Sequence, residues 1–405
     1  MNRSWKAKFF TIAIGQMFSL VGSAAVQFAL IWWIASETDS ATMMGLSSLV
    51  AFLPTALLGP MAGIAADRYE RKSICIAADL FIGAVAAAFA LAMWAVEPPV
   101  WFALIVLFCR GLGNTFHQPA MHAMIPQLVP ASELTRAGGW YQMFSSGSML
   151  LGPALGAALY AALPMPVVLL TDLIGALIAS CLLALVRVPR QAARAQEKRR
   201  ALRELREGLE VFRADPALLL MTILETLAML FVLPMSSFMP LMTSGYFKAS
   251  AWHGSAVEVC YALGMMAAAM LFGSVLKVRR PLWTSYLGLL GVGVSAVVCG
   301  LLPPTMGAWL VFAVAIALIG ACCNVHNVPL LAYMQANIRK DRQGRAFGLT
   351  SLLSAISTPL GLAIGAPFAD RIGVNRWYLL GGSCVCALTL LGMILQRGME
   401  KRRGA

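Results

Sequence analysis

Carboxylate side chains inside long apolar stretches are the first residues of this sequence that could do chemistry. Four occur: Asp79, Asp172, Glu225 and Glu258. A carboxylate is costly inside a membrane, and one found there usually faces a water-filled cavity or takes part in proton transfer. Glu225 lies deepest in its stretch, so we expect it to carry protons, to contact a ligand in a wet cavity or simply to stay hydrated. Asp79 and Asp172 are further proton candidates, although for these two and Glu258 structural pairing or snorkelling is favoured.

Basic side chains inside the apolar stretches are the second group of residues that could do chemistry. Arg110 lies near the middle of the fourth apolar stretch, where a lone charge usually faces a bundle interior or a water-filled cavity. The alternative is a structural arginine bonded to backbone carbonyls. His117 and His326 change charge near neutral pH, but such histidines more often bond a neighbouring helix.

The elements that position these residues are apolar segments long enough to cross a bilayer. The chain has 405 residues, of which 60% are hydrophobic and 12% charged, and this excludes an ordinary soluble domain. We expect an all-α membrane protein with twelve transmembrane helices, at residues 9–36, 42–65, 73–96, 100–123, 137–163, 166–187, 216–244, 254–276, 282–302, 306–330, 346–369 and 374–396.

The basic residues are distributed unevenly between the two sets of alternate loops. Of the 31 Lys and Arg residues, 27 fall on the side that includes both termini and the long central loop, and three fall on the opposite side. The positive-inside rule therefore predicts that both termini are cytoplasmic. The net charge of +13 is explained by topology and implies no nucleic-acid partner.

The two halves of the sequence repeat one another. Asn114 matches Asn324 and Pro119 matches Pro329 at an offset of 210, and the segments from Arg136 and Arg345 match at an offset of 209. The domains predicted from this repeat are a six-helix bundle at 1–187, a linker with an amphipathic helix at 188–215, and a second six-helix bundle at 216–405. Two parallel bundles of this kind suit a transporter in which a central site is exposed alternately to each side.

A short turn between the second and third spans carries an acid followed by three bases. Its residues Gly63, Asp67, Arg68, Arg71 and Lys72 resemble the loop signature of the major facilitator superfamily. The resemblance implies that the glycine permits close helix approach and that the charges latch one conformation. The alternative is a solvated basic loop. The equivalent turn of the second half has Lys277 in place of the acid, which predicts a one-sided latch. In the fourth span, Arg110 resembles the arginine of this superfamily that is linked to proton coupling, so the resemblance makes it a further proton-coupling candidate.

Small residues recur in the fifth and eleventh spans. They resemble the antiporter signature of the same superfamily, and small residues four apart let helices pack closely. The helix-packing residues are Gly147, Gly152, Pro153, Gly156, Gly361 and Gly365. Candidate residues of a substrate cavity are Asn114, His117, Phe28, Phe144, Met235, Phe238, Asn324 and His326, although core packing explains the apolar ones equally well.

Longer strings extend the resemblance. SLVAFLPTALLGP, AADRYERK, PVWFALIVLFCRGLGNTFHQPA and GVNRWYLL are similar to the bacterial macrolide-efflux type within the drug:proton antiporter branch. The resemblance implies a monomeric exporter of the inner membrane that uses the proton gradient, with no bound cofactor, to expel large amphiphilic compounds. A lysophospholipid translocase or a siderophore exporter on the same scaffold remains open, and a non-transporting sensor is a further alternative.

Catalytic and metal centres are not expected. The sequence contains no GxSxG, HExxH or CxxC array and no GxxxxGK[ST] phosphate loop, so neither an enzyme nor an ATP-driven pump is indicated. The nine cysteines lie in apolar segments without zinc-site spacing, and we interpret them as small buried hydrophobic residues. We expect Asp67→Asn or Arg110→Ala to abolish efflux without abolishing expression, and Glu225→Gln to uncouple transport from the proton gradient.

Overall fold

Twelve long helices make up nearly all of the described chain. The computed structural model describes residues 3–130, 133–188, 209–274 and 278–404, and no strand occurs among them. The helices are α1 (Arg3–Thr38), α2 (Ala41–Arg68), α3 (Arg71–Val96), α4 (Phe102–Leu128), α5 (Leu134–Ala162), α6 (Met165–Leu185), α7 (Pro216–Ser237), α8 (Ala251–Ser274), α9 (Pro281–Leu301), α10 (Met306–Asn337), α11 (Lys340–Ile372) and α12 (Val374–Gly404). The prediction of an all-α protein with twelve long helices is confirmed.

Ten of these helices are long and apolar enough to cross a membrane by length and composition. The other two, α4 and α5, are 27 and 29 residues long and carry more polar side chains and glycines. Arg110 and His117 are among the polar side chains of α4 that are buried inside the protein rather than exposed at its surface. Burial against other helices compensates for the lower hydropathy of α4.

The seventh span was predicted as one continuous segment at 216–244, but the structure interrupts it. Helix α7 ends at Ser237, a short turn follows at Met239–Leu241, and a π-helix covers Met242–Tyr246. Pro240 lacks a backbone N–H and so removes an intrahelical hydrogen bond at this point. The hydroxyl of Tyr378 on α12 donates to the carbonyl oxygen of Met235 at 2.6 Å, which satisfies one acceptor near the end of α7.

The chain divides into two compact units. Unit 1 comprises Met1–Thr38 and Leu46–Ala195. Within it, α1 packs on α5 and α6, and α3 packs on α4 and α6. Glycines allow the backbones to approach: a Cβ on Gly111 of α4 would clash with the carbonyl of Ala51 on α2.

Unit 2 comprises Asp39–Gly45 and Gln196–Ala405. Its helices pack in the pairs that the repeat relates to those of unit 1: α7 on α11 and α12, and α9 on α10 and α12. Gly320 of α10, which lies 209 residues after Gly111, would clash in the same way with the carbonyl of Tyr261 on α8. Each unit is thus built on the same internal packing.

The segment Asp39–Gly45 is held in unit 2 by one carboxylate. Asp370, near the end of α11, accepts hydrogen bonds from the backbone N–H groups of Ala41 and Thr42 and from the hydroxyl of Ser40. These N–H groups belong to the first turn of α2, which has no intrahelical acceptors for them. Asp370 therefore supplies the N-terminal cap of α2 from a distant part of the sequence.

The linker prediction falls largely outside the described residues, because 189–208 are among those not described. Residues 209–214 are helical. Phe212 is buried in an apolar cluster with Leu218 and Met221 of α7, whereas Leu209 is exposed.

Candidate functional site

Glu225 projects from the middle of α7 into a pocket of unit 2. The pocket has a volume of about 240 Å³ and is formed by α7 and α11. Its lining is mostly short polar side chains: Thr222, Glu225, Thr226, Met229, Thr350, Leu353, Ser354 and Ser357. The side chain of Glu225 is 22% exposed, so its carboxylate is open to this pocket while most of the side chain is covered.

His326 on α10 lies directly behind this carboxylate. Its Nε2 is 3.6 Å from Oε1 of Glu225, and its side chain is only 3% exposed. On the other side of the ring, Nδ1 is 3.1 Å from the carbonyl oxygen of Ser285 on α9, and the hydroxyl of Ser285 donates back to the carbonyl of His326. The imidazole is therefore fixed between α9 and the acid.

Unit 1 contains a second acid–imidazole pair. Asp79 on α3 is 3.5 Å from Nε2 of His117 on α4. It also accepts hydrogen bonds from the amide of Gln16 at 3.0 Å and from the hydroxyl of Ser19 at 3.2 Å, both on α1. All four residues are buried. This carboxylate is buried and already has two neutral donors.

Arg110 and Asp172 form an ion pair in the interior of unit 1, with side chains 3% and 2% exposed. The guanidinium also donates to the carbonyl oxygen of Ser23 on α1 at 2.8 Å. The hydroxyl of Ser23 in turn donates to Asp172 on α6 at 2.7 Å. The network joins α1, α4 and α6, so it gives Arg110 both the charged partner that the sequence could not identify and the backbone bonding of the structural alternative.

The charged turn after α2 makes its described contacts with helix ends of unit 1. Asp67, near the end of α2, is 3.7 Å from Arg71, the first residue of α3. Arg71 donates to the carbonyl oxygens of Ala66 and of Ala123 on α4. Lys72 donates to the carbonyls of Ala184 and Val186 at the end of α6. Two of the three bases thus satisfy terminal carbonyls of neighbouring helices.

Two residues of the predicted latch make no such contact. Arg68 is exposed in the last turn of α2. A Cβ built on Gly63 would meet no heavy atom within 4 Å in the part of the chain that the structure describes. The expected close helix approach at Gly63 is therefore not found among these residues. In the equivalent turn of the second half, Lys277 lies outside the described residues.

The glycine motif brings pairs of helices together within each unit. A Cβ on Gly152 or Gly156 of α5 would clash with Ala24 or Ala25 of α1. On α11, a Cβ built on Gly361 would lie 2.8 Å from the carbonyl oxygen of Leu230, and a Cβ on Gly365 would lie 2.9 Å from the ring of Pro234. Both of these partners are on α7. Pro153 lies inside α5. Gly147 is different, since its Cβ would meet nothing within 4 Å among the described residues.

The predicted cavity residues differ in burial within their own units. Phe28 and Phe238 expose 4% and 0% of their surface and pack in the interiors of their units. Phe144 is half-buried against an apolar cluster of unit 1. Asn114 is exposed on α4. The apolar periodicity of these spans could not separate core from cavity, because they are apolar on every side.

Two further candidates make specific contacts in unit 2. Asn324 donates to the carbonyl of Met265 on α8 at 2.7 Å. Met235 lines a second, mainly apolar cavity of about 330 Å³, where it lies with Val232, Ser236, Met239, Tyr261, Val292, Ile316, Ile319, Cys323 and Tyr378.

Glu258 and the cysteines are the remaining residues that the sequence singled out. Glu258 is half-buried in the third turn of α8. The cysteines are free, and Cys75 and Cys299 are buried as expected, whereas Cys181 is exposed. No group of three or more His, Cys, Asp or Glu side chains that could hold a metal ion occurs among the described residues.

Several polar residues of these networks were missed by the sequence analysis. Gln16, Ser19, Ser23 and Ser285 are single hydrogen-bonding residues inside apolar spans. Gln16 had a usable signal, because it lies 209 residues before Glu225, at the offset of the repeat. The serines had none, since serine is common in membrane helices.

Two duplicated sets of helices that bury acids, an arginine and a matched pair of histidines in their interiors suit a membrane transporter. The sequence model of the Major Facilitator Superfamily matches residues 12–362. The chain belongs to the Major Facilitator Superfamily. It is therefore a multi-pass membrane transport protein rather than an enzyme.

Two relatives within the superfamily show which type of transporter this chain resembles. The chain is 35% identical to macrolide efflux protein A of Streptococcus pyogenes over 389 residues, which cover 96% of each chain. It is 33% identical to macrolide efflux protein A of Enterococcus faecalis over 316 residues, which cover 78% of this chain and 97% of the relative. The resemblance to macrolide-efflux type transporters is confirmed.

A solved structure supports the fold. A bacterial homologue of the human lysosomal transporter Spinster has a TM-score of 0.71 to this chain at 14% identity, with 97% of this chain and 96% of that chain covered. At that identity the likeness concerns the fold alone.

Proposed function

We propose that this protein exports macrolides and related amphiphilic compounds from the cytoplasm in exchange for protons. The observation that carries the proposal is the 35% identity to a macrolide efflux protein over 96% of both chains. We further propose that it acts as a monomer in the bacterial inner membrane with both termini in the cytoplasm, and that it needs no bound cofactor because the proton gradient supplies the energy.

Glu225 supports the proton part of this proposal. Its carboxylate lies within a membrane-spanning helix and is open to a pocket lined by five hydroxyl side chains. In general, a carboxyl group favours its charged form where it meets water and its neutral, protonated form where it is closed away from water. A carboxyl group in such a place can bind a proton on one side of the membrane and release it on the other.

The exchange follows from alternating access. The protonated and therefore neutral site can return through the membrane interior at low cost, while a bare carboxylate cannot. Release of the proton into the cytoplasm leaves a charged, polar pocket that is ready for the next cycle of substrate export. Asp67 and the following bases provide the latch that holds one state between these steps.

The test is accumulation of labelled erythromycin in an efflux-deficient bacterial strain that expresses the protein, with and without a protonophore. We expect lower accumulation than in cells with an empty vector, and reversal by the protonophore. Glu225→Gln and Asp67→Asn are the loss-of-function variants, with membrane expression measured for each. Unchanged accumulation despite confirmed wild-type expression would contradict macrolide export and direct the search to lysophospholipids or siderophores as cargo.

A further inference from the structure

The hydrogen bond to Ser285 determines which ring nitrogen of His326 carries the proton. A carbonyl oxygen can only accept, so Nδ1 must be the protonated nitrogen of the neutral ring. Nε2 then has a lone pair, and it faces Oε1 of Glu225 at 3.6 Å. Nε2 is buried without a hydrogen-bond partner. Two acceptors therefore face one another across a short gap.

One added proton converts this arrangement into a hydrogen bond. Placed on Nε2 it gives an imidazolium beside a carboxylate, and placed on Oε1 it gives a carboxylic acid that donates to the imidazole. No bond breaks in either case, and the pair gains one positive charge. Within the described residues, Glu225 and His326 make no second ion pair and Glu225 accepts no other hydrogen bond, so this proton is what satisfies both groups.

In the described part of the chain, the side chains that line the pocket around the pair bring no competing charge. The residues that α7 and α11 bring to the pocket, apart from Glu225, are hydroxyl-bearing or apolar. On α9, Ser285 contacts His326 through its carbonyl oxygen. The adjacent titratable residue, Tyr286, is buried in an apolar cluster with Leu224. From α12, Gly392 packs on Leu224 and Tyr286 and adds no charge. A proton reaches His326 through Glu225, since the ring itself is closed to solvent.

The repeat supplies a matched comparison. His117 and His326 are 209 residues apart, as are Gln16 and Glu225. In unit 1 the acid is on α3 instead, as Asp79, and the residue 209 positions later is Gly288. Asp79 already accepts bonds from Gln16 and Ser19 and is buried. Its carboxylate is satisfied without an added proton, whereas that of Glu225 is not.

We propose that Glu225 and His326 bind one shared proton, with His326 as the positioning residue, and that the Asp79–His117 pair is structural. The proposal deepens the proton-coupled export described above and rests on it for its role in transport. The shared proton itself can be tested independently of any transport.

The first experiment is ¹⁵N magnetic resonance on the full-length protein labelled at histidine. The chain has four histidines, so the ring signals can be assigned by single substitutions. We expect Glu225→Gln to change the Nε2 signal of His326 and to leave His117, His122 and His253 unchanged. We expect Asp79→Asn to change His117 and not His326. An unchanged His326 signal in Glu225→Gln would overturn the shared proton.

The second experiment separates coupling from binding in proteoliposomes loaded with labelled erythromycin. We expect His326→Gln to reduce transport driven by a pH gradient by about tenfold, the effect of losing one hydrogen bond to a charged group. Exchange of erythromycin without a gradient should persist. His253→Gln, which alters a histidine bonded to Ser250 outside the pair, should keep both activities.

The outcomes of this experiment are distinct. Full gradient-driven transport by His326→Gln would overturn the positioning role. If His326→Gln does not fold, Glu225→Gln tests the proposal in the same two transport assays. This variant is suitable because glutamine has nearly the same shape as glutamate. If the wild-type protein moves no erythromycin under either condition, the proposed cargo fails, and the resonance experiment still decides whether the proton is shared.

Discussion

At the scale of single residues, the ion pair of Arg110 and Asp172 is a charged contact buried in the interior of unit 1. Both side chains are almost fully enclosed, and Ser23 bonds to each. Removing one member of such a pair leaves an uncompensated buried charge, which costs about 3–5 kcal/mol. The expectation that Arg110→Ala spares expression therefore needs revision, because the variant is now expected to lose stability as well as transport.

A double-substitution cycle tests this pair. We expect Arg110→Ala and Asp172→Ala each to lower the melting temperature of the purified protein in detergent. The double variant should recover part of the loss, because it leaves no unpaired charge. Additive losses in the double variant would show that the two side chains are not coupled.

Asp67 is expected to behave in the opposite way. Its ion pair with Arg71 is 3.7 Å long, and the Asp67 side chain is 39% exposed. An exposed ion pair of this kind contributes about 0.2–1 kcal/mol to stability. Asp67→Asn should therefore keep its melting temperature and membrane level while losing efflux. Glu70→Gln in the same turn is the control and should retain efflux, and efflux by Asp67→Asn would remove this acid from the latch.

The sequence identified the buried ionisable residues but not their partners. Arg110 and Asp172 are separated by 62 positions, and Glu225 and His326 by 101. Pairing at such distances depends on how each helix is rotated about its axis. In helices that are apolar on every side, no amphipathic pattern marks that rotation. The repeat was the one pattern that linked distant positions, and at its offset of 209 Gln16 aligns with Glu225 in the sequence.

At the scale of helices, the segments themselves were predictable because bilayer thickness sets their length. Each predicted span coincides with one long helix, with ends shifted by several residues. The interruption after Ser237 was not predicted, although Pro234 and Pro240 were visible. A hydropathy window averages over such a break, since the short turn and π-helix that follow are themselves apolar.

Close packing of α5 on α1 gives a prediction at this scale. A side chain on Gly156 would meet the carbonyl of Ala25 at 2.5 Å. We expect Gly156→Val to push the two helices apart, at a cost of about 1–3 kcal/mol for overpacking. Gly147→Val, in the same helix but facing open space in the described part of the chain, is the control. Equal melting temperatures for the two variants would contradict the packing role of Gly156.

The N-terminal cap of α7 gives a second prediction. Asp215 accepts hydrogen bonds from the N–H groups of Ala217 and Leu218, and Tyr333 of α10 donates to its other oxygen at 2.6 Å. Asp215→Ala should destabilise the protein by about 0.5–2 kcal/mol, as other lost caps do. Asp215→Asn keeps one acceptor oxygen, so its melting temperature should lie between those of the wild type and Asp215→Ala. A melt of Asp215→Ala identical to wild type would exclude a capping contribution.

At the scale of the whole molecule, the charge distribution predicts how the chain is threaded through the membrane. Alkaline phosphatase, which is active only after export, should be inactive when fused after Arg213 and active when fused after Lys248. Green fluorescent protein at the same positions should give the reverse pattern. Activity of the phosphatase after Arg213 would invert the proposed topology.

The internal pairing of unit 1 has a consequence for how the protein is made. Helix α4 is not among the ten helices apolar enough to enter a membrane by composition, and a central arginine adds about 2.5–3.5 kcal/mol to its insertion cost. Its counter-charge is synthesised 62 residues later, which at about 5–20 residues per second takes roughly 3–12 s. During that interval α4 must be sheltered by the insertion machinery or by α1 to α3. A ribosome that stops before α6 therefore leaves an arginine with no counter-ion, a defect by which quality control can recognise an unfinished chain.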